Sequence, residues 1–153
     1  RRDATRFGGK RHRRQKRPHV SSKPFVLACA LAATLAAGCG TADREEDVTA
    51  VVERFQAALA ERDGRAACAE LSEETASKLE SQEEKPCGEA ILELDLPEGG
   101  TVALARVETR SALAELDEGS AAFLDEGADG WRISDAGCRE TAPNQPYECT
   151  LEG

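Results

Sequence analysis

The chain has 153 residues, a length that favours one domain, and is 40% apolar but only 4% aromatic. Its net charge of −9 averages two unlike parts: residues 1–38 hold ten of the 20 Lys/Arg and one of the 29 acidic residues, which leaves residues 39–153 with ten basic and 28 acidic residues, a net of −18. Both histidines, His12 and His19, lie in the first part, so imidazole chemistry is excluded from the second, and its negative charge excludes nucleic acid as a partner because no basic groove remains to meet phosphates.

The first element is a leader. Lys10, Arg11, Arg13, Arg14, Lys16 and Arg17 fall within eight positions, and the fourteen residues from Phe25 to Gly38 carry no charge. A membrane-spanning helix needs about 20 apolar residues. A basic stretch, a shorter apolar run and a small-residue exit form a secretory signal peptide, so residues 1–38 are expected to be one. Arg1-Arg2 is followed by Asp-Ala-Thr, a poor twin-arginine match. A basic run that leads directly into an apolar one is read as part of the leader rather than as a nucleic-acid contact.

The leader ends in Leu35-Ala36-Ala37-Gly38-Cys39-Gly40. This exit resembles the lipobox of bacterial lipoproteins. The family favours Leu three positions before the cysteine, where this chain has Ala36, with Leu35 one place earlier. The resemblance implies cleavage before Cys39, a diacylglycerol thioether on its sulfur and an amine open to further acylation. The competing reading is an ordinary signal peptide that releases a soluble protein. Each buried CH2 contributes about 0.8 kcal/mol, and two chains suffice where one binds marginally. Cys39 would therefore tether the protein to a membrane without a spanning helix. The net −18 that follows repels anionic head groups, so the body is expected to be held by acyl chains alone.

After a linker at 39–43, the domain is expected over 44–153. Asp43-Arg44-Glu45-Glu46 has the form of a capping box. Val48, Val51, Val52, Phe55 and Leu59 then recur as one apolar stripe of a helix, expected to run to about Asp63 and to stop at Gly64. Only three residues separate this helix from Cys39, which puts the domain close to the bilayer. A second helical stretch is expected from Arg65 to about Glu70. Ser72 offers a new N-cap, and Leu79 lies a turn or two beyond it. Pro86 suits the first turn of a third helix that carries Cys87, Ile91 and Leu94 on one face, and Pro97-Glu98-Gly99-Gly100 is a loop.

The pattern then changes to short segments at 101–109, 112–116, 120–125 and 131–136. Asp117-Glu118-Gly119 and Gly127-Ala128-Asp129-Gly130 look like hairpin connections. Trp131 and Ile133 alternate with Arg132 and Ser134, as in a strand with one buried face. Alanine weakens the strand reading at 101–116, where propensity alone permits a helix. The tail, with Pro143, Asn144 and Pro146, is expected to be a loop or edge tied back by Cys149. Helices followed by an antiparallel sheet make an α+β layout.

Cys29 lies in the leader and Cys39 at the anchor. Cys68, Cys87, Cys138 and Cys149 remain, and an even count in an exported domain suggests two disulfides. Four cysteines allow three pairings, of which Cys68–Cys87 with Cys138–Cys149 is local in sequence and is favoured here. A zinc site lacks both a C-x2-C pair and histidine, and a catalytic thiol lacks a base. No metal or other cofactor is expected.

The order of elements, with Phe123-Leu124, Gly130-Trp131-Arg132-Ile133 and Gly137-Cys138 closing it, resembles the NTF2-like (SnoaL-like) lipoproteins of actinobacteria over most of residues 44–138. The resemblance implies N-terminal helices packed on a curved antiparallel sheet, a cone with a pocket. It also implies a choice between enzymes, ligand binders and proteins without known activity. Enzymes of the isomerase type on this fold use a buried carboxylate as base with a tyrosine or protonated acid as donor. Here Tyr147 lies outside the expected sheet, and Glu108 and Glu115 read as acids on a solvated strand face. Residues 125–136, laid on a calcium loop, put Gly127 and Ala136 where ligands are needed, so an acidic turn is expected. The sequence therefore points to an exported, membrane-anchored, non-catalytic protein that binds a small hydrophobic ligand or an envelope protein. An enzyme using a pocket carboxylate, or a purely accessory protein, is the alternative.

Overall fold

The computed structural model describes residues 23–142 and 145–153, with the side chains of 40–142 and 145–153. Helix α1 runs Lys23–Ala60. The linker expected at 39–43 is helical, and Asp43 lies inside the helix rather than capping it. The residues on either side of Asp43 are rich in Ala, Leu, Glu and Arg, which favour helix, and extending a helix costs far less than nucleating one. The basic stretch at 10–17 lies outside the described residues. The compact unit followed below is Ala36–Gly153. No helix among the described residues is long and apolar enough to cross a membrane.

The stripe on α1 meets the core as its spacing requires: Val48, Val51, Val52, Phe55 and Leu59 are all buried. The helix ends at Ala60, earlier than expected, because Arg62 takes a positive φ of 56°. Asp63 then caps α2 (Gly64–Ala69), its Oδ1 accepting the Ala66 N–H at 3.0 Å. Gly64 opens this helix instead of stopping the previous one. A Cβ at Gly64 would stand 1.9 Å from the carbonyl oxygen of Gly88, so α2 meets α4 (Cys87–Ala90) backbone to backbone. Gly64→Ala should therefore force the two apart at a cost of about 1–3 kcal/mol. A lowered urea midpoint would show it. An unchanged midpoint would mean that the two helices do not meet so closely.

Ser72 caps α3 (Glu73–Glu83), as the sequence anticipates, by accepting the Thr75 N–H at 3.0 Å. Thr75 is fully buried, and its hydroxyl donates to the Ser134 carbonyl at 2.9 Å, which ties α3 to the sheet. Pro86 occupies the N-cap of α4 rather than its first turn. It needs no N–H there, and the helix gives way after one turn to a 3-10 turn at Ile91–Glu93. Cys87 and Ile91 are buried as expected. Leu94 is only half-buried, and Leu96 takes the core position beyond it.

The sheet is an antiparallel meander of β1 (Val102–Glu108), β2 (Ser111–Leu116), β3 (Ala121–Gly127), β4 (Gly130–Glu140) and β5 (Tyr147–Glu148), in that order across the sheet. The alanines are extended despite their propensity because pairing decides the matter. Ala105 faces Ala114, which faces Ala122, and small side chains on the inner face leave room for the bulk that α1 brings. β4 is longer than expected and irregular. Leu124 pairs with Ile133, Phe123 with Asp135, and Ala121 with Cys138, so β4 carries extra residues at Ser134 and again near Gly137, which has φ +67°. Buried positions shift accordingly, from Trp131 and Ile133 to Ala136 and Cys138. Such bulges bend a strand and increase its twist, and they curve the sheet around the helices. The tail is not a plain loop: Tyr147 pairs with Glu140, and Leu151 bridges Ala136. Pro143 and Asn144 lie outside the described residues.

Candidate functional site

The place to look for a ligand in a curved sheet is the space between its inner face and the helices. That space is filled. Phe55 from α1, Leu79 from α3, Ile91, Leu124 from β3 and Ile133 from β4 are each at most 2% exposed, and Trp131 lies beside them at 4%. Trp131 is thus a core residue. The polar side chains that reach the interior, Gln56, Thr75 and Ser120, all find partners. Gln56 Oε1 accepts the Gly100 N–H at 3.3 Å, and Ser120 donates to Glu118.

Among the described residues no aspartate or glutamate is buried. Glu108 is exposed, and Glu115 is half-buried and pairs with Arg106 at 3.0 Å. The Asp117 carboxyl is held below the usual carboxylate range. Its causes are the Thr101 hydroxyl, which donates at 2.8 Å, and then the Thr101 N–H, at 3.1 Å. A base for proton abstraction is shifted the other way.

Tyr147, expected outside the sheet, belongs to β5 and packs edge-on against Phe123 with ring centroids 5.3 Å apart. Phe123 points away from its buried neighbours Ala122 and Leu124, so both rings are on the outer face. Partial burial, and then the nearby Glu140 and Glu115 carboxylates, hold the phenol above its usual range. An oxyanion donor would instead have to face an interior cavity.

The acidic stretch 125–130 is a hairpin turn in which Gly127 pairs with Gly130. Asp125 accepts from the Ser111 hydroxyl at 2.9 Å, and Glu126 is taken by Arg44 at 2.6 Å. Among the described residues no cluster of His, Cys, Asp or Glu is arranged to hold a metal ion. Open grooves lie on the surface of the described residues. One of about 600 Å3 lies along the C-terminal tail, between Leu96, Pro97, Gly137, Arg139, Glu148 and Thr150. A smaller, more apolar one of about 290 Å3 lies on the outer face between Arg106, Leu113 and Phe123.

The structure joins Cys68 to Cys87 and Cys138 to Cys149. The first bridge ties α2 to α4, and the second ties the tail to β4. Cys39 lies on the backbone of α1, and its side chain is outside those described.

One contact was not legible in the sequence. Arg44, five residues beyond Cys39, donates to the Thr109 carbonyl and to Glu126, and its guanidinium lies 5.1 Å from the centroid of the Trp131 ring. An exposed ion pair of this kind contributes up to about 1 kcal/mol and the ring a similar amount. No motif marks an arginine at this position. Only the fold brings three distant segments under it.

Comparison with protein-family models, curated proteins and solved structures gives no match to this chain.

Proposed function

We propose that this chain is an exported lipoprotein, cut before Cys39 and held on the extracytoplasmic face of the cell membrane by acyl chains on that residue. Its acidic domain docks a protein partner in the envelope and performs no catalysis. The observation that carries the reading is the filled interior. With Phe55, Leu124, Trp131 and Ile133 occupying the space under the sheet, a small hydrophobic ligand has no chamber there, whereas drug-sized ligands are usually enclosed by about 300–1,000 Å3. The absence of a buried carboxylate among the described residues supports the non-catalytic part. Helices followed by a curved sheet support the NTF2-like cone, in a form whose pocket is closed by side chains. Two disulfides support an oxidising compartment. The short Ala-rich run before Cys39 supports processing rather than spanning.

The test is fractionation of cells that process the chain. The unaltered protein is expected in the membrane fraction, released by detergent and not by salt, since acyl chains rather than charge hold it. Cys39→Ala is expected to leave the fully processed, anchored pool. Equal membrane retention of Cys39→Ala would refute the anchor.

A further inference from the structure

We infer that the anchored domain stands upright on one end of its sheet, with the β1–β2 and β3–β4 turns toward the lipid surface and the loop 97–100 and turn 117–119 away from it. The inference rests on the acylation of Cys39 proposed above and adds which surface the bilayer faces.

Cys39 and Arg44 lie on the same helix and in the same compact unit. Five residues of helix span about 8 Å. Arg44 is fixed where it stands: it donates to the carbonyl of Thr109, forms a 2.6 Å pair with Glu126 and covers Trp131. These partners share one end of the strands. Thr109 is in the turn after β1, Glu126 is next to last in β3, and Trp131 is second in β4. Arg110, in the same turn, donates to the Glu126 carbonyl.

Twelve residues further along α1, about 18 Å at helical rise, Gln56 accepts from Gly100 at the opposite end. There Thr101 precedes β1 and holds Asp117, just past β2. The helix therefore runs along the strand direction, and the two ends of the sheet lie at different heights above Cys39. Even if residues 39–43 were fully extended, they would reach only about 17 Å, so the turn end stays near the bilayer.

The far end and the outer sheet face then remain open to a protein partner.

The experiment uses the processed chain, purified in detergent and returned to phosphatidylcholine vesicles that contain phosphatidylglycerol and a lipid with a nitroxide head group. One variant carries a maleimide fluorophore through Asp129→Cys in the β3–β4 turn, another through Glu118→Cys in the β2–β3 turn. The label at 129 is expected to be quenched several-fold more than the label at 118. A flexible Gly/Ser segment inserted between Ala42 and Asp43 should abolish that difference. Equal quenching in the uninserted, acylated chains, or stronger quenching at 118, would overturn the orientation and leave the anchor standing. A mass without acyl groups at Cys39 would overturn the anchor and the orientation with it.

Discussion

Phe55→Ala is expected to destabilise the domain by about 3–5 kcal/mol, the range for removing a fully buried aromatic side chain. Phe55 is 1% exposed, sits in the middle of the α1 stripe and belongs to the same buried core as the small inner side chains of β2 and β3. Ala112, Ala114 and Ala122 cannot extend into the space it leaves, and the loss therefore includes a cavity as well as the transferred area. The domain offers few alternatives, since it is poor in aromatic residues and Trp131 is its only tryptophan. Urea unfolding followed by the Trp131 fluorescence would read the loss directly. A change of less than about 1 kcal/mol would mean that the space under the sheet is not packed around Phe55 and has room for an interior ligand.

Replacing Cys68 and Cys87 together by alanine is expected to cost about 3 kcal/mol. The bridge closes a loop across a sequence separation of 19 residues, and its removal restores freedom to the unfolded chain by about that amount. The segment it constrains holds two very short helices, of six and four residues. Helices that short do not persist in isolation, and they depend on the bridge and on the Gly64–Gly88 approach to stay seated. Under oxidising conditions the double variant should unfold at a clearly lower denaturant concentration, with the Cys138–Cys149 bridge intact by mass. Equal midpoints would show that the bridge adds nothing to the native state.

The α+β order, the two hairpin turns and the buried stripe of α1 were legible because each rests on local chemistry. Val48 to Leu59 repeats at the helical period, Ser72 offers its hydroxyl to the next turn, and Gly119 and Gly127-Ala128-Asp129-Gly130 mark reversals. Four features were not legible, and each depends on residues far apart. Asp43 has the chemistry of a cap, yet helix on both sides of it overrides that preference. Gly64 looks like a helix stop, but the reason for its missing side chain is Gly88, 24 positions away. The bulges of β4 move the buried register from Ile133 to Ala136, which alternation read from Trp131 cannot anticipate. Tyr147 joins the sheet through a two-residue strand and a bridge at Leu151 that no periodicity announces.

The candidate site divides in the same way. Cys39 and the four paired cysteines stand out by count and spacing. The closed interior does not, because whether the space under the sheet is open depends on how the buried side chains of α1, β3 and β4 pack together. Arg44 is likewise invisible until Thr109, Glu126 and Trp131 are brought to one end of the sheet.

The intact mass of the chain recovered from the membrane fraction tests the central claim most directly. The account predicts a polypeptide that begins at Cys39, carries the mass of at least two acyl chains and has its other four thiols oxidised. A chain that begins elsewhere, or one with an unmodified thiol at Cys39, would contradict it.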